Sequence, residues 1–315
     1  MANTSKHIPV MLKEVLHYLY PQAGKTYVDA TFGNGGYTEA VLQAADCKVI
    51  AIDRDPTVVS RAEELKQKYG ARFEFRAGRF GDILNLINEP VDGFMFDIGV
   101  SSMQLDEAER GFSFAKPAPL DMRMSCKGTT AADIVNTMEE HELADLIYNY
   151  GEERKSRQIA HKIAEARKIK PITLTTELAD IIYSVIRKKF NEINPATRTF
   201  QALRIAVNDE LGELKTGLKA ATERLKPEGR LVVVDFHSLE DRIVKTFFNE
   251  MNGKNSGTSR YMPVAENKTP VVFSAVSKAV FPTAEESAEN PRARSAKLRF
   301  AVKAPALNRE GYTHD

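Results

Sequence analysis

The sequence predicts an α/β fold, a doubly wound and mostly parallel sheet interrupted by an all-helical insertion. Three observations predict it. Short β-branched and aromatic runs alternate with helical stretches over the first part of the chain, the rhythm of parallel strands joined by crossover helices. A glycine-rich turn follows the first such run. The interval between the fourth and fifth strand candidates is too long for one crossover and reads as helix.

Taken in order, Thr26–Phe32 (TYVDATF) is the first strand, and a helix from Thr38 to Ala45 follows the turn. Lys48–Asp53 is the second strand, backed by helix Pro56–Tyr69. Arg72–Arg76 and Val91–Ile98 are the third and fourth. The interval then carries helices at Ala131–Tyr150, Ser156–Lys168 and Thr175–Phe190. A long helix over Thr197–Leu225 repeats apolar residues from Phe200 to Leu225 at spacings of three and four, with Pro227 and Gly229 ending it. Arg230–Phe236 is a fifth buried strand before helix Leu239–Met251, and Val271–Ser274 and Ala296–Val302 supply the last strands. These elements place a discontinuous sheet domain at residues 1–110 and 205–305 and a helical insertion at 111–204. Asn252–Thr258 reads as a surface loop and 306–315 as a frayed tail.

The 315 residues, 43% hydrophobic and 28% charged, can bury a full core. No apolar run approaches the ~20 residues of a membrane span, and the N-terminal residues do not read as a signal peptide. Cys47 and Cys126 lie far apart and outside any C-x-x-C spacing, so neither a disulfide framework nor a metal site is expected, and a reducing cytoplasm fits best. A net charge of +1 announces no polyanion partner, but its distribution does. Gly151–Arg204 holds 12 Lys/Arg against 6 Asp/Glu, and Asn290–Lys303 holds five basic residues and no acid. Such segregation is what a polyanion-binding face would need.

The turn Asp29–Thr38 (DATFGNGGYT) lies where open α/β sheets bind nucleotides. Gly33, Gly35 and Gly36 allow positive φ and close approach of a ligand to the main chain. Asp53 ends the second strand, 18 residues after Gly35, where an acid can accept hydrogen bonds from ribose hydroxyls. A dinucleotide turn needs glycine at position 38, which is Thr38, and no G-K-[ST] follows for a phosphate loop. Asp29 at the mouth would repel phosphate but suit an ammonium. An adenosine with an amino-acid tail and no phosphates is S-adenosylmethionine, so the loop favours that cofactor over NAD.

The fourth strand runs into Phe96–Asp106 (FDIGVSSMQLD), which puts Asp97 on the rim that carries catalysis in such sheets. Further segments are Arg110–Phe114 (RGFSF), Leu120–Met124 (LDMRM), Asn194–Ile205 (NPATRTFQALRI), Asp235–Lys245 (DFHSLEDRIVK) and Asn290–Arg299 (NPRARSAKLR). Together these resemble the ribosomal RNA small subunit methyltransferase H (MraW) family, from His7–Leu12 (HIPVML) to Arg299. The resemblance implies a class I, Rossmann-like methyltransferase domain interrupted by a helical domain. It also implies N4-methylation of a cytidine in the decoding region of bacterial 16S ribosomal RNA, within the small ribosomal subunit. The family's cofactor contacts fall on Gly35, Gly36, Asp53, Phe80, Asp97 and Gln104, with Tyr37 lining the same pocket. Phe80 reads either as a ring near the adenine or as a core residue. Tyr37 and Asn194 stand where the family usually carries His.

Ring-carbon methylation needs a cysteine nucleophile, and neither cysteine falls on the rim, so an amine or hydroxyl target is favoured. Asp97 is expected at the amine-binding site, with His237, after the fifth strand, as a substrate-side acceptor. A DNA amino-methyltransferase would carry [DNS]-P-P-[FYW] where Asp97–Val100 (DIGV) stands. An assembly factor that binds the cofactor without turning it over is the other rival.

Overall fold

The protein is described by a computed structural model covering residues 9–187, 193–253 and 271–306. The chain runs α1 (Leu12–Leu19), β1 (Thr26–Asp29), α2 (Gly36–Ala44), β2 (Lys48–Asp53), α3 (Val59–Tyr69), β3 (Phe73–Ala77), α4 (Ile83–Leu86) and β4 (Val91–Asp97). It continues through α5 (Ser102–Asp106), α6 (Ala131–Thr137), α7 (Glu140–Gly151), α8 (Ser156–Ile169), α9 (Thr175–Val185), α10 (Ala196–Asn208) and α11 (Glu210–Arg224). The last elements are β5 (Leu225–Asp235), α12 (Ser238–Met251), β6 (Phe273–Val276), α13 (Ala284–Glu289) and β7 (Lys297–Lys303). The expected helix end at Phe190, most of the Asn252–Thr258 loop, the tail after Ala306 and the His7–Ile8 start of the family motif lie outside the described residues.

Two compact units emerge. The sheet unit takes the described residues up to Asp53, Thr57–Gly99 and those from Glu213 on; the helical unit takes Arg54–Pro56 and Val100–Gly212. The division differs from the expected 111–204. The helical unit starts eleven residues earlier because α5, the following turn and Asp55 form a buried network: Gln104 Nε2 donates to Asp55 Oδ2 at 2.8 Å and Arg110 to the same oxygen at 2.9 Å.

Seven strands form one sheet in the order β3-β2-β1-β4-β5-β7-β6. The first five in that order run parallel, and β7 is antiparallel to both β5 and β6. Parallel strands are covered on both faces, so Val49, Ile50, Ala51 and Ile52 are all fully buried, a continuous apolar run rather than an alternation. Phe94, Phe96, Val233 and Phe248 belong to the main core of this unit.

Four expectations need correction. Ala131–Tyr150 is two helices: α6 opens with a Thr130–Asp133 capping box and ends at Met138, whose ψ of 142° breaks the helix. Thr197–Leu225 is also two helices, divided at Asp209, which caps α10 in the left-handed region at φ 51°. Its apolar stripe serves two cores, Phe200 and Leu203 in the helical unit, Leu214, Leu218 and Leu225 in the sheet unit. Pro227 and Gly229 do not end a helix. They lie in β5, whose pairing with β4 skips from Leu225 to Arg230, so Lys226–Gly229 is a bulge with Glu228 at φ 63°. The expected first strand stops at Asp29 rather than Phe32, and α1 was not anticipated.

Within the helical unit, Leu143 and Ile147 of α7, Ile159 and Ile163 of α8, and Leu178 and Ile182 of α9 share one core. Each pair is spaced by four residues, which puts it on one helix face.

Candidate functional site

Four adjacent parallel strands end on an aspartate: β2 on Asp53, β1 on Asp29, β4 on Asp97 and β5 on Asp235. These carboxylates therefore line one edge of the sheet, and the order reverses between β1 and β4, where such folds bind ligands.

Asp29 is fully buried. Its Oδ2 accepts from the Thr38 hydroxyl at 2.7 Å and its Oδ1 from the Thr31 amide at 3.2 Å. Burial pushes its pKa up to about 6, against the pull of these hydrogen bonds. The sequence suggests Asp29 as an open ligand for an ammonium; the structure makes it the organiser of the turn. Thr38, noticed for not being glycine, is its clamp. Gly33 N–H donates to Asp53 Oδ2 at 2.7 Å, and Asp97 N–H donates to Thr31 Oγ1 at 2.7 Å. The turn is thus tied to the ends of both flanking strands.

Gly35 caps α2 in the left-handed region at φ 73°, and a Cβ there would stand 2.8 Å from the Phe32 ring. A Cβ on Gly36 would overlap Pro9. Both glycines are required by protein packed against the turn, which the sequence reading assigned to a ligand. Tyr37 follows in the first turn of α2. It is buried and donates from its hydroxyl to the carbonyl of Val10. Burial, then the fields of Asp97 and Asp29, hold the phenol well above its usual range, so it stays neutral.

Asp97 Oδ1 is sealed from solvent and has no hydrogen-bond partner. Burial, with repulsion from Asp29 and Glu240, pushes its pKa up to about 8. Asp235 is wholly buried, both its carboxyl oxygens are without a hydrogen bond, and it too is pushed up to about 8 by burial first. Lys297 and Arg299 pull against that rise, but both hold Asp241, at 3.0 and 2.7 Å.

His237 is the N-cap of α12: its Nδ1 accepts from the Glu240 amide at 3.4 Å, and Glu240 Oε2 accepts from the His237 amide at 3.2 Å. Its Nε2 faces Glu240 Oε1 at 3.1 Å. The ring expected as an open acceptor is turned onto its own helix. Phe80 is half-buried, edge-on to Phe96 with centroids 5.6 Å apart, and against Gly217, so part of its ring is core and part is open. Gln104 lies in the helical unit, its Oε1 accepting from the Ser101 amide and its Nε2 held by Asp55. Sequence reasoning missed Thr31, Glu240 and Asp235. Glu240 had a signal, since His237 and Glu240 keep capping-box spacing with His in the cap.

The edge is acidic and close-set, with an unpartnered buried oxygen at Asp97, a set of acceptors that suits a group carrying N–H donors and rejects phosphate. A parallel sheet with one reversed strand before its last, and this loop at its switch point, define a class I methyltransferase, whose methyl donor is S-adenosylmethionine. Residues 4–304 match the MraW methylase family, and the chain belongs to it. A protein of Rhodospirillum rubrum named ribosomal RNA small subunit methyltransferase H is 54% identical over 302 residues, covering 93% of each chain. Its namesake in Paramagnetospirillum magneticum is 53% identical over 306 residues, covering 95% of this chain and 96% of that one. The Maricaulis maris protein of the same name is 54% identical over 312 residues, 96% of this chain and 93% of its own. Among the described residues no helix is long and apolar enough to cross a membrane.

Proposed function

We propose that this chain is a cytoplasmic enzyme that methylates N4 of a cytidine in the decoding region of 16S ribosomal RNA, met within the small ribosomal subunit. The observation that carries it is Asp97 Oδ1, a buried carboxylate oxygen at the rim with no partner of its own. The names of the relatives support the ribosomal RNA substrate.

When bound, S-adenosylmethionine supplies an electrophilic methyl group on a sulfonium. The protein must position an amine for in-line attack and receive the proton it sheds. The N4 lone pair is delocalised into the cytosine ring. Asp97 Oδ1, accepting an N–H of that amine, draws the lone pair out of conjugation and offsets the charge that develops on nitrogen. With its pKa pushed up to about 8, Asp97 takes up the released proton when it is ionised, and that fraction grows as pH rises towards and past 8. Gly35, Gly36, Tyr37 and Asp53 form the cofactor side, with the open part of Phe80 beside the adenine, and the family resemblance adds Gln104. His237 acts by fixing the start of α12.

The target base must leave its stack to be reached. The helical unit, with exposed Arg154, Arg157 and Lys168, and Arg294 of the 290–303 segment are assigned to RNA backbone contact, whereas Lys297 and Arg299 of that segment are taken up by Asp241 and Lys303 by the Thr222 and Leu225 carbonyls. Mass mapping of modified nucleotides in small-subunit RNA from cells lacking this protein tests the reading. One N4-methylcytidine should disappear and return when purified protein and S-adenosylmethionine are added to the isolated subunits. An unchanged modification map refutes it.

A further inference from the structure

The residues ahead of α1 are held at three points, two on the cofactor turn and one on α13. Pro9 fills the space that a side chain on Gly36 would need. The Val10 carbonyl accepts from the Tyr37 hydroxyl. The Met11 amide donates to Glu286 Oε1 of α13 at 2.6 Å. Val10 and Met11 are buried, and Met11 holds a left-handed φ of 53°, a conformation an L-residue keeps only when its surroundings impose it. Tyr37 is the side chain of the turn that reaches the backbone ahead of α1, and its phenol stands in the field of Asp97.

We propose that Tyr37 is a positioning residue which, through Val10 and Met11, holds the Pro9–Met11 strap against Gly36 and so sets how firmly the turn retains the adenosyl ligand. The inference rests on the cofactor reading of that turn. The strap has two anchors of unlike chemistry, the phenol of α2 and the carboxylate of α13. The two anchors hold consecutive residues, Val10 and Met11, at the start of α1, so loss of either one loosens Pro9 from Gly36. Cutting the second then changes little.

No basic group stands among the charges that act on the Tyr37 phenol. The titratable groups that face its phenol are Asp97, Asp29, Glu286 and Glu14, all acids, so it remains a neutral donor across the working range.

The test uses the full-length protein and S-adenosylhomocysteine, with Tyr37→Phe, Glu286→Ala and the double variant. Each single change should raise the dissociation constant and off-rate about tenfold, the loss of one buried hydrogen bond. The double variant should be no weaker than either single one. Amide exchange at Met11, slowed by ligand in the wild type, should lose that protection in both. A direct contact from Tyr37 to the ligand would instead leave Glu286→Ala at wild-type affinity, and that result overturns the proposal. So do additive losses in the double variant. Failure of the wild type to bind S-adenosylhomocysteine would sink the cofactor reading of the turn itself, a distinct result.

Discussion

Thr38→Val keeps the shape of the side chain and removes one hydrogen bond, the 2.7 Å interaction with Asp29 Oδ2. Asp29 has an ordinary value of 3.8 and sits at about 6 in the fold, wholly buried. The folded chain therefore binds that proton more tightly than the unfolded chain. Stability falls as pH rises between these two values, by about 3 kcal/mol in all. Thr38 moderates the loss, because its hydroxyl stabilises the ionised form. A hydrogen bond to a charged group is worth about 1.5–3 kcal/mol and one to a neutral carboxyl about 1 kcal/mol. The variant should thus be destabilised by about 1 kcal/mol at pH 4.5 and by about 2–3 kcal/mol at pH 8. The chain has no tryptophan, so urea unfolding followed by far-ultraviolet circular dichroism is the suitable assay. Taking the variant against the wild type at each pH cancels the contributions of Asp97 and Asp235, which also titrate in this range. An equal deficit at both pH values would show that Asp29 does not ionise where its burial says it should.

Asp97→Asn is expected to lower methyl transfer to isolated small subunits by about 100-fold or more while the chain stays folded, since an amide cannot take up the proton; near-normal turnover removes Asp97 from the chemistry. With cofactor subsaturating, transfer should climb with pH, reach half its plateau at about 8 and level off above it as Asp97 becomes fully ionised; a flat pH profile contradicts that assignment. His237→Ala should lose the cap of α12, costing about 1 kcal/mol in urea unfolding, and slow transfer; wild-type turnover would leave His237 a cap alone. Replacing Arg154, Arg157 and Lys168 with Gln should weaken binding to small subunits and flatten its salt dependence, by up to about 0.9 in the logarithmic slope for each phosphate no longer neutralised. An unchanged slope would move the RNA face elsewhere.

Much of the fold was legible because parallel strands are apolar on both faces, so Lys48–Asp53 and Val91–Asp97 stand out without any partner in view. The breaks inside the long helical stretches were hidden for a physical reason. At Asp209 the apolar stripe continues without a missed step, while the two cores it enters are separate bodies, a distinction that exists only in three dimensions. The bulge at Lys226–Gly229 was misread because proline and glycine mark a helix end and a strand bulge alike. At the site, Asp53 and Asp97 were readable from their strand-end positions. What the sequence did not show at Asp29, Gly36 and His237 is the protein group each meets, distant in sequence or folded back on itself: Thr38, Pro9 and the amide of Glu240. Asp235 carried no local sign of being a buried acid with both oxygens unpartnered.

The assignment of Arg54–Pro56 to the helical unit bears on how that unit can be studied alone. A fragment covering residues 100–212 would look complete by length and helix content, yet it would leave behind Asp55, the shared acceptor of Gln104 and Arg110, and Arg54, which donates to the carbonyl of Asn208. Arg110 would then be a half-buried cation stripped of its counter-charge, and such an excised piece should fold poorly unless Arg110 is also neutralised or the tripeptide is grafted back through a linker.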